Sequence, residues 1–106
     1  MGLSVYWTDF AKSQLRNIYN YHKQKVSSRI ALQISKQIFD KAEYLSDFPR
    51  IGAIEELLKD RTQGFRYIIS TNYKIIYWLN SEKHRIEIFD VFDVRQNPKK
   101  MERSIK

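Results

Sequence analysis

Three cations in the second half of the chain, Arg66, Lys74 and Arg95, are the residues whose type and spacing point to chemistry. Arg66 and Lys74 stand on two β-prone runs joined by a short polar segment, and Arg95 closes a third. A concave surface carrying all three would suit a phosphate. Attack of an RNA 2′-hydroxyl on its own phosphodiester builds negative charge on the phosphoryl oxygens, and fixed Arg and Lys donors stabilise that charge. Trp78 and neighbouring tyrosines, Tyr77 among them, offer ring faces on which bases stack, at roughly 1–3 kcal/mol per base. Proton transfer also needs an acid and a base. Asp93 and Glu87 are candidate carboxylates, although acids in a strand near arginine are also ordinary salt-bridge partners. His22 and His84 are the two histidines, and the spacing sets neither beside Arg95, so both read as rim residues. The spacing of Arg66 and Lys74 equally describes a solvated strand face.

Composition narrows the classes. A chain of 106 residues is long enough for one core and too short for two, so residues 1–106 are expected to form a single domain with a basic tail from about residue 97. A net charge of +7 favours an anionic partner, either nucleic acid or an acidic protein segment. With no cysteine there are no disulfides or thiolate metal sites, and two scattered histidines do not make a zinc site, so neither metal nor cofactor is expected. The only three glycines, Gly2, Gly52 and Gly64, cannot build a phosphate-cradling loop. No apolar run is long enough to span a bilayer, and the opening MGLSVYW lacks the basic and apolar regions of a signal peptide. Gly2 is not followed by the Ser or Thr of a myristoylation signal, since the sixth residue is Tyr6. A cytoplasmic location is the expectation.

The elements that must position these residues follow from periodicity. Leu3–Trp7 is a short β-prone run. Thr8 or Asp9 caps a helix whose stripe is Ala11, Leu15, Ile18 and His22 or Tyr21, with Lys12, Arg16 and Lys23 off it. Ser27-Ser28 caps a second helix with Ile30, Ala31, Ile34, Ile38, Ala42 and Leu45 on one face, and Phe48-Pro49 is expected to end it. The short break between them predicts an antiparallel helical hairpin. Beyond it the period becomes two. Ile54–Leu58 is a weak strand, and Phe65–Ser70, Tyr73–Asn80 and His84–Val94 are stronger ones. The fold class is therefore α+β: an N-terminal short strand, then an antiparallel helical hairpin packed on one face of a mainly antiparallel sheet. In the middle hairpin, a three-residue loop Ser70-Thr71-Asn72 would keep Arg66, Lys74 and Trp78 together on the outer face and bury no lysine. A two-residue loop would instead set Arg66 beside Tyr77 and leave Lys74 among aromatics.

Two segments, WTDFAKSQLRNIYNY at 7–21 and FRYIISTNYKIIYWLNSEKHRIEIFDVFDVRQNPKK at 65–100, resemble the RelE/ParE superfamily of bacterial toxins, which includes plasmid stabilisation proteins. The match lies in an aromatic-Thr pair opening the first helix, an aromatic-Arg pair followed by Tyr-basic-Ile-Ile-Tyr, and a last strand ending in Arg and an amide-Pro turn. The resemblance implies a type II toxin with a cognate antitoxin partner, as a homodimer or a toxin–antitoxin hetero-oligomer. One branch cuts mRNA on the ribosome, which is the first reading for this chain, and the other inhibits DNA gyrase without nuclease activity, which is the alternative. For the first branch, Arg66, Lys74 and Arg95 match basic positions, while Asp93 stands where many relatives carry histidine and Asn97 replaces an aspartate. Tyr77, Trp78, Lys99 and Lys100 are the candidate contacts to target or antitoxin. An inactive relative, or a general nucleic-acid binder, is the third reading.

Overall fold

The computed structural model describes residues 2–95. Its elements run β1 (Ser4–Trp7), α1 (Asp9–Lys25), α2 (Ser28–Tyr44), β2 (Ala53–Ile54), a 3-10 turn (Glu56–Leu58), β3 (Arg66–Ser70), β4 (Tyr73–Asn80) and β5 (Arg85–Asp93). Both helices begin where a side-chain oxygen satisfies a free amide. Thr8 Oγ1 accepts from Ala11 N–H at 3.1 Å, and Ser27 Oγ accepts from Ile30 N–H at 3.1 Å. Thr8 has a second task. Its hydroxyl donates to the Ile88 carbonyl at 2.9 Å, so one residue both starts α1 and ties it to the sheet.

The five strands lie in the order β1-β5-β4-β3-β2. β1 runs parallel to β5 and the other pairs are antiparallel. The helical hairpin covers one face. Ala11, Ile18, Ile38, Ala42 and Leu45 pack there against Tyr73, Ile75, Tyr77, Ile86, Ile88 and Val91. Burying each of the larger aliphatic side chains contributes about 1.5–3 kcal/mol relative to exposure. A smaller cluster of Leu58, Phe65, Ile76 and Phe92, flanked by Tyr67, Trp78 and Phe89, covers part of the other face. A bulge lets β5 serve both: Ile76 pairs with Asp90 and Tyr77 with Ile88, leaving Phe89 as the extra residue.

Three local expectations need correction. α2 ends at Tyr44, four residues before Phe48, in a turn where Ser46 Oγ donates to the Leu3 carbonyl at 2.6 Å. The weak strand Ile54–Leu58 is only Ala53–Ile54, because Glu55 caps the following 3-10 turn through an Oε2 contact with Leu57 N–H at 3.1 Å. Most consequential is the β3–β4 loop. It is the two-residue Thr71-Asn72 turn, with Thr71 at a φ of 53° and Ser70 paired with Tyr73. The register therefore sets Arg66 opposite Tyr77 and Lys74 opposite Ile69. A one-residue change in register moves every side chain to the other face, so Arg66 and Lys74 lie on opposite faces of the sheet.

Candidate functional site

Lys74 lies on the helix-free face, half-buried, and its charge is already matched. Its Nζ lies 2.6 Å from Glu55 Oε1 and 4.1 Å from the centre of the Tyr67 ring. The expectation that no lysine would be buried fails because the segment after β2 brings a buried carboxylate to meet it. Arg66 sits on the other face, where its guanidinium donates to the Gly52 carbonyl at 2.7 Å. Tyr77, expected as a contact residue, is fully buried: its hydroxyl donates to the Pro49 carbonyl and accepts from Gly52 N–H, both at 2.9 Å. Trp78 remains on the helix-free face, edge-on to Phe65 at 6.4 Å. Glu87 takes contacts from Asn80 Nδ2 at 3.0 Å and Arg85 Nε at 2.9 Å, and so acts as a salt-bridge partner. Lys99, Lys100 and Asn97 lie outside the described residues.

Arg95 and Asp93 do come together, at the far end of the sheet. The Arg95 Nε and Nη2 donate to the two Asp93 oxygens at 2.9 and 2.5 Å, a forked pair on the surface. Those hydrogen bonds hold the Asp93 carboxyl below its ordinary range, against the opposing effect of burial. Two residues not assigned to a site by the sequence complete the cluster. Asp93 is the strand partner of Tyr73, and the Tyr73 hydroxyl is hydrogen-bonded to His22 Nε2 at 2.7 Å. A signal for His22 existed, since it falls at the end of the apolar stripe of α1. Tyr73 could not be found without the β4–β5 register.

This cluster is near neutral in charge, because Asp93 offsets Arg95. Burial, reinforced by the Asp93 charge, pushes the Tyr73 hydroxyl above its ordinary value, and burial does the same to Tyr77. A phenol whose folded value is raised contributes stability that is complete below the unfolded value near 10 and is lost as pH rises through the folded one. Spectrophotometric titration of the folded protein should therefore show Tyr73 and Tyr77 ionising late. Tyr73→Phe should remove one late step. Ionisation of all the tyrosines in one step centred near pH 10 would contradict this placement.

The three cations thus do not converge. Arg66 pairs with Tyr77, four residues along β4 from Tyr73, so the Arg95 cluster lies about 13 Å away along the strand. Lys74 is on the opposite face. Among the described residues no group of His, Cys, Asp or Glu is arranged to hold a metal, and no helix is long and apolar enough to cross a membrane. What the surface does present is apolar relief. One groove of about 440 Å³ is lined by Trp7, Lys12, Leu15, Arg16, Tyr19 and Phe39. Elsewhere Tyr44, Phe48, Ile51 and Ile69 are exposed, with the Tyr44 and Phe48 rings stacked at 4.6 Å.

Comparison with known proteins places this architecture. Residues 5–98 match the family model described as the ParE toxin of the type II toxin–antitoxin system parDE. Among solved structures, the chromosomal ParDE toxin–antitoxin system of P. aeruginosa superposes with a TM-score of 0.71 at 17% identity, covering 86% of this chain and 95% of that one. The E. coli toxin RelE, solved as a free mutant, gives 0.62 at 16% identity, over 98% and 94% of the two chains. The RelBE2 toxin–antitoxin complex of Mycobacterium tuberculosis gives 0.54 at 20% identity, over 88% and 92%. No curated protein sequence matches the chain.

Proposed function

The chain belongs to the ParE toxin family of type II toxin–antitoxin systems, and from that premise we propose that it arrests growth by binding DNA gyrase, without cutting RNA, until a cognate antitoxin silences it. One observation carries the choice of target: Arg66, Lys74 and Arg95 each already have an intramolecular partner, on two faces and at two ends of the sheet. A nuclease of the RelE type needs such groups aimed together at one phosphate, where charge develops in the transition state. Here each would first have to leave a carbonyl or a carboxylate. On this reading the resemblance to the mRNA-cutting branch extends to residue types at these positions, not to a shared site.

An inhibitor that works by contact needs shape and apolar anchors instead. The exposed aromatic and aliphatic residues at the end of α2 and beside β3 are of that kind. The charge of +7 also suits an acidic antitoxin, because long-range attraction speeds encounter. The test is direct. Purified protein should inhibit supercoiling by gyrase in vitro and leave mRNA intact on translating ribosomes. Cleaved transcripts, together with undisturbed supercoiling, would reverse the assignment.

A further inference from the structure

β3 is only half covered at its outer edge. β2 pairs with it at Arg66 and Tyr67 alone, so among the described residues no strand lies beside Ile68, Ile69 and Ser70. Ser70 and Tyr73 close the turn to β4, and the alternation of an antiparallel ladder then aims the Ile69 N–H and C=O away from β4, toward the open side. Beside that edge runs a groove of about 670 Å³, walled by Lys41 and Tyr44 of α2 and by Ile51 and Ile69. Phe48 stacks on Tyr44 and extends the apolar surface. Tyr44, Phe48, Ile51 and Ile69 are between 43% and 56% exposed. Together they present on the order of 300–400 Å² of apolar area, the size of patch that marks an interaction site.

Apolar content and charge favour a second copy as the occupant. The chain's own last residues, from Gln96 on, hold only Met101 and Ile105 as large apolar side chains, too few to cover four. A strongly charged partner finds little to pair with. Asp40, Lys41 and Arg50 are the charged residues lining the groove and the hollows that adjoin it, and Asp40 is already bound to Lys36 at 2.8 Å. A second copy brings the same open edge and the same patch, and an exposed strand edge is a template for antiparallel pairing about a two-fold axis. We propose that the open edge of β3, with Tyr44, Phe48, Ile51 and Ile69, is the interface of a homodimer in which two sheets meet edge to edge. Two such patches bury on the order of 700 Å² of apolar area. At the roughly 65% apolar share of homodimer interfaces that is about 1,100 Å² in all, enough for a specific contact of micromolar strength. The charge of +7 on each copy opposes the contact and keeps it weak at low salt. The same side chains are the apolar anchors of the gyrase contact, so the dimer is the form that cannot engage gyrase. That consequence rests on the gyrase reading, whereas the dimer does not.

Analytical ultracentrifugation of the purified full-length protein, with no gyrase present, is the test. The two-chain species should grow in through the micromolar range, and added salt should tighten it severalfold by screening the like charges. Ile69→Asp should weaken the dimer by about 100-fold or more, and Phe48→Ala by about 10-fold. Leu32→Asp makes the same apolar-to-acid change at an exposed position of α2 outside the patch, and its dimer should stay within about threefold of the original affinity. Circular dichroism checks that each variant is folded, and Phe48→Ala carries the test if Ile69→Asp is not. A single chain throughout the micromolar range would overturn the proposal. So would a dimer that both patch variants leave intact, an equal loss in Leu32→Asp, or a dimer that salt dissolves, which would be held by charge. Supercoiling inhibition by the unmodified protein is scored separately, and its absence would sink the gyrase reading alone.

Discussion

Replacing Lys74 by methionine should destabilise the fold by about 3 kcal/mol, because it strands the buried carboxylate of Glu55. The Glu55 side chain is only 3% exposed and that of Lys74 19%, so the pair is shielded from water far more than a surface bridge. A surface pair contributes about 0–1 kcal/mol, and the partial exposure of Lys74 keeps the expectation at the low end of the 3–5 kcal/mol seen when buried pairs are broken. For a domain of this size that is a fall in Tm of roughly 10 °C or more. The companion variant, Glu55→Gln with Lys74→Met, removes both charges and keeps an oxygen for Leu57 N–H. It should recover most of the loss. Thermal unfolding followed by circular dichroism reads both. A Tm within about 2 °C of the original for Lys74→Met alone would mean that Glu55 finds another partner or water, and the ion pair would lose its structural role. Function offers a second reading. If Lys74 is a structural ion-pair partner, gyrase inhibition by the folded fraction of Lys74→Met should match that of the original protein. A phosphate-binding lysine would instead lose activity with little change in Tm.

That residue also shows where the sequence stops being informative. Helix positions, caps and most strand bounds were legible because they depend on neighbours three or four residues away: of the offered caps, Thr8 rather than Asp9 starts α1 and Ser27 of the Ser27-Ser28 pair starts α2, and Tyr73–Asn80 is a strand over its full expected length. The faces of β3 and β4 depend on a single φ angle at Thr71, where a non-glycine residue adopts the left-handed region. Nothing in the pattern SerThrAsn favours that over a left-handed Asn72, which is the commoner choice. The rule against burying a lysine pointed the wrong way for the same reason. It holds only for an unpaired lysine, and Glu55 reaches Lys74 across a loop and a 3-10 turn that carry no periodic signal. At the candidate site, Arg95 and Asp93 are near neighbours in sequence and were found together. His22 and Tyr73, 51 residues apart, are joined only by the way α1 crosses the end of the sheet.

The second large effect is expected at Gly52, a residue to which the sequence assigned no role beyond the lack of a glycine-rich loop. A Cβ added there would lie 2.6 Å from the Tyr67 carbonyl oxygen, 2.6 Å from the Tyr77 hydroxyl and 2.8 Å from the Tyr77 ring. None of these neighbours is the free end of a flexible chain, so the backbone of the Pro49–Gly52 segment must move. Moving it strains three hydrogen bonds at once: Gly52 N–H to Tyr77, Tyr77 to the Pro49 carbonyl, and Arg66 to the Gly52 carbonyl. Overpacking a tight site costs typically 1–3 kcal/mol and each net hydrogen bond about 1 kcal/mol more, so Gly52→Ala should lose about 3 kcal/mol in all. Tyr77→Phe keeps the ring and deletes the hydroxyl. It should lose about 1–3 kcal/mol by leaving a buried amide and carbonyl without that partner. Because both changes act on the same contact, they should not add. The double variant should be more stable than the sum of the two losses implies, by at least 0.5 kcal/mol, the scale of coupling between touching residues. Urea denaturation of the four proteins measures the cycle. Strict additivity would mean that Gly52 is required for its backbone freedom and not for the approach of Tyr77. Its φ lies outside the positive range that only Gly64 occupies among the described glycines, which makes the steric explanation the stronger one. Tyr77 is then the peg on which the crossing from α2 to the sheet is hung, and Arg66 is the clamp that closes it.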